Sequence, residues 1–518
     1  MPNRPRVCFI GAGPGDPGLL TLRGARCLGR ADVVVYDSLV HAALLRHAPP
    51  GAERIDVGRA APQGTDRDAI AYLLVEKVRE GKHVARLKWG DPFIFDDGGE
   101  EALFLHEHGI PFEVVPGIPA AVGVPPYAGV AVTYRGGGDT LTLVRGFEDA
   151  RGKLPRIDWA SLARLDGTIV CYAGPAQAPA ILAALAAHGR PADEPAALIY
   201  SGTLATQQTV AGTLSSLAGA PPPADSRPAI VVVGRVAALR EHLRWFDVRP
   251  LFGRRIVVTR PREQARELVD LLEDQGAQVV LAPTVRLAPA GDGSELDEVC
   301  AGIGAFDWVV LPTLTGAEVF LRRLTTAPHD IRDLKGVGLC AIGQSSAERL
   351  AAFGLRADIA PPELRPDALV EALAARKGVR GRQVLLVQAE GARDLLAAEL
   401  RKAGAEVREV GAYRIERVLP GDPGEPDLYK MLLEQQIDVV TFVSPSTVRE
   451  FVDIHGADAV ADVLRTTLVA CVGPVTAQAA IAHGLMPAIV PEEFTMAAMV
   501  QAIVRYLRNP PDAASSPR

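Results

Sequence analysis

The sequence predicts an α/β protein of several domains with mainly parallel sheets. Apolar, β-rich runs alternate with helically spaced runs along almost the whole chain, which is the pattern of repeated strand–helix–strand units. The chain has 518 residues, too many for one hydrophobic core, and this length suggests about three or four domains. The second half also repeats one strand and helix pattern, which indicates a duplicated unit.

The first half contains five strand candidates with helical spacing between them. The strands are RVCFIGAG, DVVVYD, HVARLKWG, TIVCYAG and AIVVVGRV, and the helices include TLRGARCLGR, DRDAIAYLLVEKVREG and APAILAALAAHG. Glycines at 136–138 and 146, with Pro155, predict a joint between subdomains of about 1–135 and 136–248. The segment 247–255, DVRPLFGRR, predicts the main boundary, because a new strand, RIVVTRP, follows it.

The second half contains an internal sequence repeat. DWVVLPTLTGAEVF at Asp307 resembles DVVTFVSPSTVREF at Asp438, and CAIGQSSAERLAAFGL at Cys340 resembles CVGPVTAQAAIAHGL at Cys471. Each pair is separated by the same 131 residues, from 307 to 438 and from 340 to 471. Unrelated βαβ units also look broadly alike, but the equal offset favours a duplication. Two such domains would place both sets of hydroxyl-rich loops around one cleft.

Composition excludes several classes of function. The net charge of −7 argues against a general nucleic-acid-binding protein, which would be basic. No apolar run approaches the roughly 18 residues of a membrane span, and the N-terminus enters a strand directly. The six cysteines are scattered without C-x-x-C spacing, so we expect reduced core cysteines, no metal site and a cytoplasmic location.

A glycine-rich loop, GAGPGDPG, follows the first strand. Gly11 and Gly13 fit the dinucleotide fingerprint, but Asp16 occupies its third glycine position and Pro14 removes one amide. A carboxylate there would repel a pyrophosphate. The loop therefore indicates a close-packed ligand other than a dinucleotide, with an unliganded tight turn as the alternative.

The first half resembles the tetrapyrrole methylases, and among them the uroporphyrinogen-III C-methyltransferases, over about residues 5–246. Six blocks occur in the same order: VCFIGAGPGDPGLLTLRGARCLGRADVVVYDSLV, RLKWGDPFIFDDGGEE, FEVVPGIPAAVGVPPYAGVAVTYR, TIVCYAG, SGTLATQQTVAGTL and PAIVVVGRVAALREHLRWF. The resemblance implies S-adenosylmethionine as the cofactor, whose sulfonium cation tolerates nearby carboxylates. Methyl transfer to a pyrrole carbon requires alignment and then a base for the released proton.

The resemblance also implies the site residues of this half. Asp37 matches the proposed proton acceptor, although it also reads as a turn residue at the end of a strand, and Arg59 stands where the family has a catalytic lysine. The implied cofactor pocket consists of Pro14, Trp89, Gly90, Asp91, Ile94, Pro119, Ala120, Ala173, Gly202 and Ala229.

Several positions depart from the family pattern. Trp89 replaces a glycine, Ala173 replaces a methionine, VTYR at 132–135 replaces LTHR, and VRGF at 144–147 replaces a Thr-Gly-His stretch. The Trp89 indole either fills cofactor space or stacks on the ligand. Arg59 does not donate a proton at neutral pH but can bind a carboxylate. A degenerate methylase that only binds a tetrapyrrole is therefore an alternative.

The second half, about 251–508, resembles uroporphyrinogen-III synthase. The matching segments are GRRIVVTRPREQARELVDLLEDQGAQVVLAPTV, the two hydroxyl loops, CAIGQSSAERL, VGAYRI, CVGPVTAQAAIAHG and EEFTMAAMVQAI. The resemblance implies closure of hydroxymethylbilane with inversion of its last ring and without a cofactor. The resemblance assigns this half to 249–508 and divides it into two domains. One domain contains about 251–289 and 415–508, and the other contains about 290–414. The tail, 509–518, is expected to be disordered.

Hydroxyls on the loops of this half are candidates for binding the substrate's carboxylates. The candidates are Thr313, Ser345, Ser444 and Thr476, with Thr315, Ser346 and Ser446 beside them. Tyr413 stands where the family has a tyrosine proposed to assist loss of the leaving group. A serine or threonine after a strand is also a common helix N-cap, and Tyr413 also reads as a buried strand residue.

Together the two resemblances predict a bifunctional cytoplasmic enzyme that makes uroporphyrinogen III and methylates it to precorrin-2, in the sirohaem or cobalamin branch. The expected partners are small tetrapyrroles and a second copy of the chain, joined through the methylase half. A methylase acting on a later corrin intermediate and a non-enzymatic scaffold are further alternatives; retained glycine and hydroxyl loops argue against the scaffold.

Overall fold

The computed structural model describes residues 5–60, 67–146, 154–175, 177–221, 228–326, 328–361, 366–392, 395–422 and 425–509. Phe147 and the expected tail beyond Asn509 lie outside these residues. The chain forms two compact units. One contains the described residues up to Ile256, Asp270–Val279 and those from Val504 onward, and the other contains Val257–Val269 and Val280–Ile503.

The first sheet has five parallel strands, and its order is β3-β2-β4-β1-β5. The strands are β1 (Val7–Gly11), β2 (Val33–Tyr36), β3 (Glu53–Asp56), β4 (Val84–Lys88) and β5 (Phe112–Val115). The helices are α1 (Leu22–Leu28), α2 (Val57–Ala60), α3 (Arg67–Arg79), α4 (Gly98–Glu107) and α5 (Ala120–Tyr127), with 3₁₀ turns at Pro17–Leu19 and Ala42–His47.

Both faces of this sheet are buried. Phe9 and Val35 pack with Leu74 of α3 and Leu105 of α4 on one face, and Ile10 and its neighbours pack with Leu28 of α1 on the other. Because the faces are covered, a ligand can reach this sheet only at the ends of its strands, and in open α/β sheets ligands typically bind at the carboxyl ends.

The second sheet is mixed, and its order is β6-β7-β10-β8-β9. Its strands are β6 (Leu141–Arg145), β7 (Thr168–Ala173), β8 (Pro195–Tyr200), β9 (Gln208–Thr213) and β10 (Ala229–Val233), and its helices are α6 (Trp159–Arg164), α7 (Gln177–Ala187), α8 (Leu214–Leu217) and α9 (Arg240–Leu243), with a 3₁₀ turn at Arg235–Leu239. Only the β6–β7 pair is parallel among its four pairings. The expectation of parallel sheet is wrong here because the short β8–β9 connection leaves no room for a crossover helix.

The second half contains two further five-stranded sheets, ordered β12-β11-β18-β19-β20 and β13-β17-β16-β14-β15. Their strands are β11 (Arg255–Val258), β12 (Gln278–Leu281), β13 (Val285–Pro289), β14 (Trp308–Leu311), β15 (Gly338–Ala341), β16 (Gln383–Ala389), β17 (Glu406–Arg417), β18 (Val439–Phe442), β19 (Leu468–Cys471) and β20 (Pro487–Ile489).

The helices of this half are α10 (Arg262–Asp274), α11 (Ser294–Ala301), α12 (Leu314–Leu324), α13 (Gln344–Ala352), α14 (Pro366–Arg376), α15 (Leu395–Lys402), α16 (Leu428–Leu433), α17 (Pro445–His455), α18 (Ala457–Val463), α19 (Pro474–Ala482) and α20 (Met496–Arg508), with 3₁₀ turns at Ile303–Ala305 and Ile331–Leu334. The internal sequence repeat has a structural counterpart. The parallel pair β14–β15 carries α12 and α13, and the parallel pair β18–β19 in the other sheet carries α17 and α19. The predicted duplication is confirmed.

Within the described ranges, no helix combines the length and apolar character needed to cross a membrane.

Candidate active sites

Three glycine-containing loops meet at the carboxyl edge of the first sheet. Gly13, after β1, and Gly90, after β4, exchange two backbone hydrogen bonds, with N···O distances of 3.2 and 2.9 Å. A Cβ atom on Gly11 would collide with Gly117, which follows β5. The absence of side chains at these positions therefore brings the three loops into contact.

Asp91 clamps two of these loops together. Its Oδ1 accepts a hydrogen bond from the Phe93 amide at 2.9 Å, and its Oδ2 accepts one from the Gly117 amide at 3.0 Å. Both carboxylate oxygens are thus already engaged with backbone amides, which sets the shape of the edge where a ligand would bind.

A cavity of about 380 Å³ lies between these loops and the ends of β7 and β10. Eight of the residues assigned by resemblance line it, from both sheets of the first half: Asp37, Trp89, Gly90, Asp91, Ile94, Ala120, Ala173 and Ala229. Ala173 and Ala229 lie directly opposite one another in the β7–β10 pairing. Residues that are distant in sequence therefore form one site.

The remaining assigned residues lie outside this lining. The Pro14 carbonyl accepts a hydrogen bond from a lining residue, Pro119 is the N-cap of α5, and Gly202 packs against Val124 so closely that a Cβ would overlap its side chain. Arg59 lies in α2, and its side chain is outside the described atoms.

The Trp89 indole forms part of the cavity wall. Its Nε1 donates a hydrogen bond to the Pro14 carbonyl at 3.0 Å, and the ring packs against the apolar cluster that includes Ala120 and Tyr172. The ring therefore joins the β1 loop to the β4 loop in the place where the family has only a hydrogen atom.

A buried charged network forms part of the cavity lining, and the sequence analysis missed it. Arg86 contacts Asp37 (Nη2–Oδ1, 2.7 Å) and Glu101 (Nε–Oε2, 3.0 Å). Lys88 contacts Glu101 (Nζ–Oε1, 2.8 Å) and Asp96 (Nζ–Oδ1, 2.9 Å). Both cations are only 2% exposed. The available signal was the alternation R-L-K within β4, which places two charges on one face of an interior strand.

Burial shapes the electrostatics of this network. It raises the pKa of Asp96 to about 6, and the attraction of Lys88 offsets only part of that effect. Burial acts to lower the pKa of Arg86, but the carboxylates of Asp37 and Glu101 more than compensate, so its pKa is raised. A permanent guanidinium charge therefore lies against Asp37, whose side chain is about one quarter exposed.

A second cavity, of about 860 Å³, lies in the second half and contains Tyr413 and Thr313. Tyr413, on β17, is 6% exposed, and its hydroxyl is 3.2 Å from Thr313 Oγ1. Burial raises the pKa of Tyr413 above its usual value, although the contact with Thr313 acts in the opposite direction. The phenol is therefore a neutral proton donor at the wall of the cavity.

The other candidate hydroxyls divide between caps and buried positions. Thr313 and Ser444 are N-caps of α12 and α17 and accept hydrogen bonds from Gly316 and Thr447 amides at 3.0 and 3.3 Å. Ser446 Oγ lies 2.9 Å from Ser444 Oγ. The side chains of Thr315, Ser346 and Thr476 are buried, and the Ser345 side chain is outside the described atoms. Of this set, only Thr313 lies in the cavity lining.

Arg260 is a second residue that the sequence analysis missed. It follows β11, and its guanidinium donates a 3.4 Å hydrogen bond to the Gln264 amide oxygen. Gln264 in turn donates to Thr315 Oγ1 at 2.9 Å. Burial lowers the pKa of Arg260. The available signal was the second arginine of RIVVTRP, which follows closely after an apolar strand.

Two α/β halves, each with a lined cavity at loops that follow strands, define a fusion of two small-molecule enzymes. The model of the tetrapyrrole (corrin/porphyrin) methylases matches residues 6–218, and the model of uroporphyrinogen-III synthase HemD matches residues 266–501. The chain therefore belongs to the tetrapyrrole methylases through its first half and to the uroporphyrinogen-III synthases through its second. Both family expectations are confirmed.

Individual relatives extend this comparison. A porphyrin biosynthesis protein HemD from Ruminiclostridium josui is 34% identical over 96% of this chain and 97% of its own length. A uroporphyrinogen-III C-methyltransferase from Bacillus subtilis (strain 168) is 36% identical over 66% of this chain and 70% of its own. A crystal structure of uroporphyrin-III C-methyltransferase from Thermus thermophilus, complexed with S-adenyl homocysteine, is 35% identical over 45% of this chain and 99% of its own, with a TM-score of 0.40.

Proposed function

We propose that this chain performs two consecutive reactions of tetrapyrrole biosynthesis. It closes hydroxymethylbilane to uroporphyrinogen III and methylates that product to precorrin-2, in the sirohaem or cobalamin branch. The observation that carries the proposal is the convergence of eight family-implied residues on one cavity, in a chain whose second half has Tyr413 and Thr313 at another. The fusion of methylase and synthase families supports both activities.

The first cavity suits S-adenosylmethionine in size and charge. Its volume of about 380 Å³ is within the roughly 300–1,000 Å³ of small-molecule pockets. Asp37, Asp91 and Asp96 line it, together with Arg86 and Lys88, which pair with acidic residues of the same lining. The lining therefore carries carboxylates, which are compatible with a sulfonium cation but not with a pyrophosphate. When bound, the cofactor supplies the methyl group.

Asp37 then accepts the proton that the methylated macrocycle releases. Arg86, 2.7 Å from its Oδ1, holds the carboxylate in place. Trp89 and Ala120 exclude water from the wall. We assign to Arg59, which stands where the family has a lysine, the binding of a substrate carboxylate, because a guanidinium binds carboxylates well.

In the second cavity, the neutral Tyr413 hydroxyl protonates the hydroxide that leaves hydroxymethylbilane, so that it departs as water. Thr313 orients that hydroxyl through the 3.2 Å contact. Arg414 and Arg417 line the same cavity, where Arg414 pairs with Glu416 and Arg417 with Glu450 and Asp453. Binding of the substrate's carboxylates by these guanidinium groups requires an exchange of these partners. No cofactor takes part.

The test supplies purified protein with hydroxymethylbilane, with and without S-adenosylmethionine, and identifies the products by mass and isomer. We expect uroporphyrinogen III without the cofactor and, with it, a product that carries two added methyl groups in place of two hydrogens. Uroporphyrinogen III alone under both conditions would instead indicate a degenerate methylase. Methylation only of an added, later corrin intermediate would reassign the first half.

We further propose that the two enzymes occupy 1–248 and 249–508, that the protein is cytoplasmic, and that it dimerises through its methylase half. Light scattering on the full chain and on the isolated first half tests the last point. Each sample should have twice the mass of its own polypeptide, and a monomeric mass would contradict the proposed dimer.

A further inference from the structure

A second cluster of reactive side chains lies at the opposite end of the first sheet from the cofactor cavity. Cys8 lies near the start of β1, Glu113 is its paired residue on β5, and Cys27 lies on α1. The thiols of Cys8 and Cys27 are 3.3 and 3.2 Å from the same atom, Glu113 Oε1. The three groups place their ligand atoms within 4.8 Å of one another.

These distances suit a tetrahedral metal ion. Zinc–sulfur bonds of about 2.3 Å and zinc–oxygen bonds of about 2.0 Å place sulfur and oxygen ligands about 3.5 Å apart. The observed S···O separations of 3.2 and 3.3 Å need only a small adjustment. Three ligands from separate elements leave a fourth position free for an external ligand, beside a cavity of about 550 Å³ that all three residues line.

Both thiols contact one carboxylate oxygen. Cys8 Sγ and Cys27 Sγ lie within hydrogen-bond distance of Glu113 Oε1. A thiophilic cation that binds the two sulfurs as thiolates would replace these contacts with metal–ligand bonds and release the thiol protons.

The surrounding charges suit the metal-bound state. Arg6 and Arg23 lie 3.4 and 3.6 Å from the other carboxylate oxygen, Oε2, while Oε1 faces the two sulfur atoms. A dication held by two thiolates and one carboxylate has a net charge of −1. The two arginines compensate that charge, and Arg26 and Arg30 at the same cavity favour water or an anion as the fourth ligand.

We propose that Cys8, Cys27 and Glu113 form a binding site for one thiophilic divalent cation, zinc in the cell. Binding forms two metal–sulfur bonds and one metal–oxygen bond and releases two protons, with no oxidation or reduction. The ion would tie α1 to β1 and β5. The site escaped the sequence analysis because its ligands come from three separate elements, and no C-x-x-C spacing marks it.

The test titrates the full chain, reduced and stripped of metal, with Co²⁺ and follows its absorption spectrum and proton release. We expect one ion per chain, an intense thiolate-to-cobalt band, two protons released per ion, and displacement by Zn²⁺. Cys27→Ser should remove the band and weaken binding more than the roughly 10–100-fold typical of outer-shell changes. Glu113→Gln should keep the thiolate band but weaken binding.

Cys300→Ser is the matched control, because Cys300 is another buried thiol near an acidic residue and an arginine. It should bind Co²⁺ like the wild type. Wild-type protein without a thiolate band would overturn the proposal. So would an unchanged band in Cys27→Ser, or the same loss of the band in Cys300→Ser. If Cys27→Ser does not fold, the wild-type spectrum, the proton count and Glu113→Gln still decide.

Discussion

The two candidate active-site cavities are built by different means. In the first, backbone contacts between glycine loops define the shape, and a buried network of five charged groups forms part of the lining. In the second, Thr313, a helix cap, and Tyr413, a strand residue, present hydroxyls to a larger space, and arginines line it. The shape of the first site therefore depends on a few positions that only glycine can occupy. The second site depends on side-chain groups that several residue types could supply.

This difference explains the strength of the two sequence signals. Close backbone contact admits only glycine at positions such as Gly11 and Gly117, so the methylase half shows sharp motifs. An N-cap accepts serine, threonine, aspartate or asparagine, so the synthase half shows weak ones. Substitutions should accordingly have larger and more specific effects in the first cavity.

The largest expected effect is that of Asp37→Asn on methyl transfer. If this carboxylate takes the proton, the rate should fall by about 10²- to 10⁴-fold, while formation of uroporphyrinogen III is unchanged. Single-turnover assays of both reactions measure this. Asp32→Asn, which alters a carboxylate bonded to a backbone amide at the other end of the sheet, is the control. An unchanged methylation rate would show that Asp37 is only a structural residue in the turn after β2.

Arg86→Met should strongly destabilise the methylase half. It leaves Asp37 and Glu101 without their shared partner at a buried position, and breaking a buried ion pair costs about 3–5 kcal/mol. Denaturant unfolding followed by circular dichroism measures the loss. Lys77→Met removes a surface pair with Glu53 and should cost less than about 1 kcal/mol. Equal losses in the two variants would contradict a buried network.

Asp96 should make the stability of the methylase half depend on pH. Because its folded pKa, about 6, is above its usual 3.8, the folded state binds the proton more tightly than the unfolded one. The stabilisation that Asp96 contributes is therefore greatest below about pH 4 and is lost as the pH rises through about 6, by at most about 3 kcal/mol. Asp96→Asn should remove this slope. The difference in unfolding free energy between wild type and variant, measured across this range, should be constant if Asp96 is not perturbed.

Tyr413→Phe should slow ring closure by about a hundredfold, the lower end for loss of a positioned proton donor, because Thr313 and water remain near the leaving group. Methylation of supplied uroporphyrinogen III should be unaffected. Tyr200→Phe is a suitable control, since the described residues offer its buried hydroxyl no hydrogen-bond partner. Equal rates for wild type and Tyr413→Phe would make Tyr413 a structural residue only.

The sequence was sufficient for the features that have one physical solution. The strand–helix alternation predicted the α/β fold, and the glycine loop after β1 predicted a close-packed ligand. The equal offset of the internal repeat predicted the duplicated second half. It was insufficient where several structures satisfy one pattern. Short strands such as β8 and β9 pair in either direction, and only the length of their connection decides.

The charged network shows the same limit. Arg86 and Lys88 lie inside an apolar strand, and their partners Asp96 and Glu101 come later in the chain, Asp96 in the turn before α4 and Glu101 within α4. Their pairing is a property of the folded sheet. Ser444 and Thr476, by contrast, fitted the predicted chemistry but do not line the cavity of Tyr413 and Thr313.

The central claim is that the first cavity remains a working cofactor site although Trp89 replaces a glycine. Titrating the full chain with S-adenosylhomocysteine by calorimetry and tryptophan fluorescence tests it most directly. We expect saturable binding of one ligand per chain, weakened about tenfold in Trp89→Gly, the scale of one lost base–aromatic stacking contact of about 1–3 kcal/mol. Binding that is absent in the natural protein and appears only in Trp89→Gly would contradict the claim, because the indole would then fill the space of the cofactor.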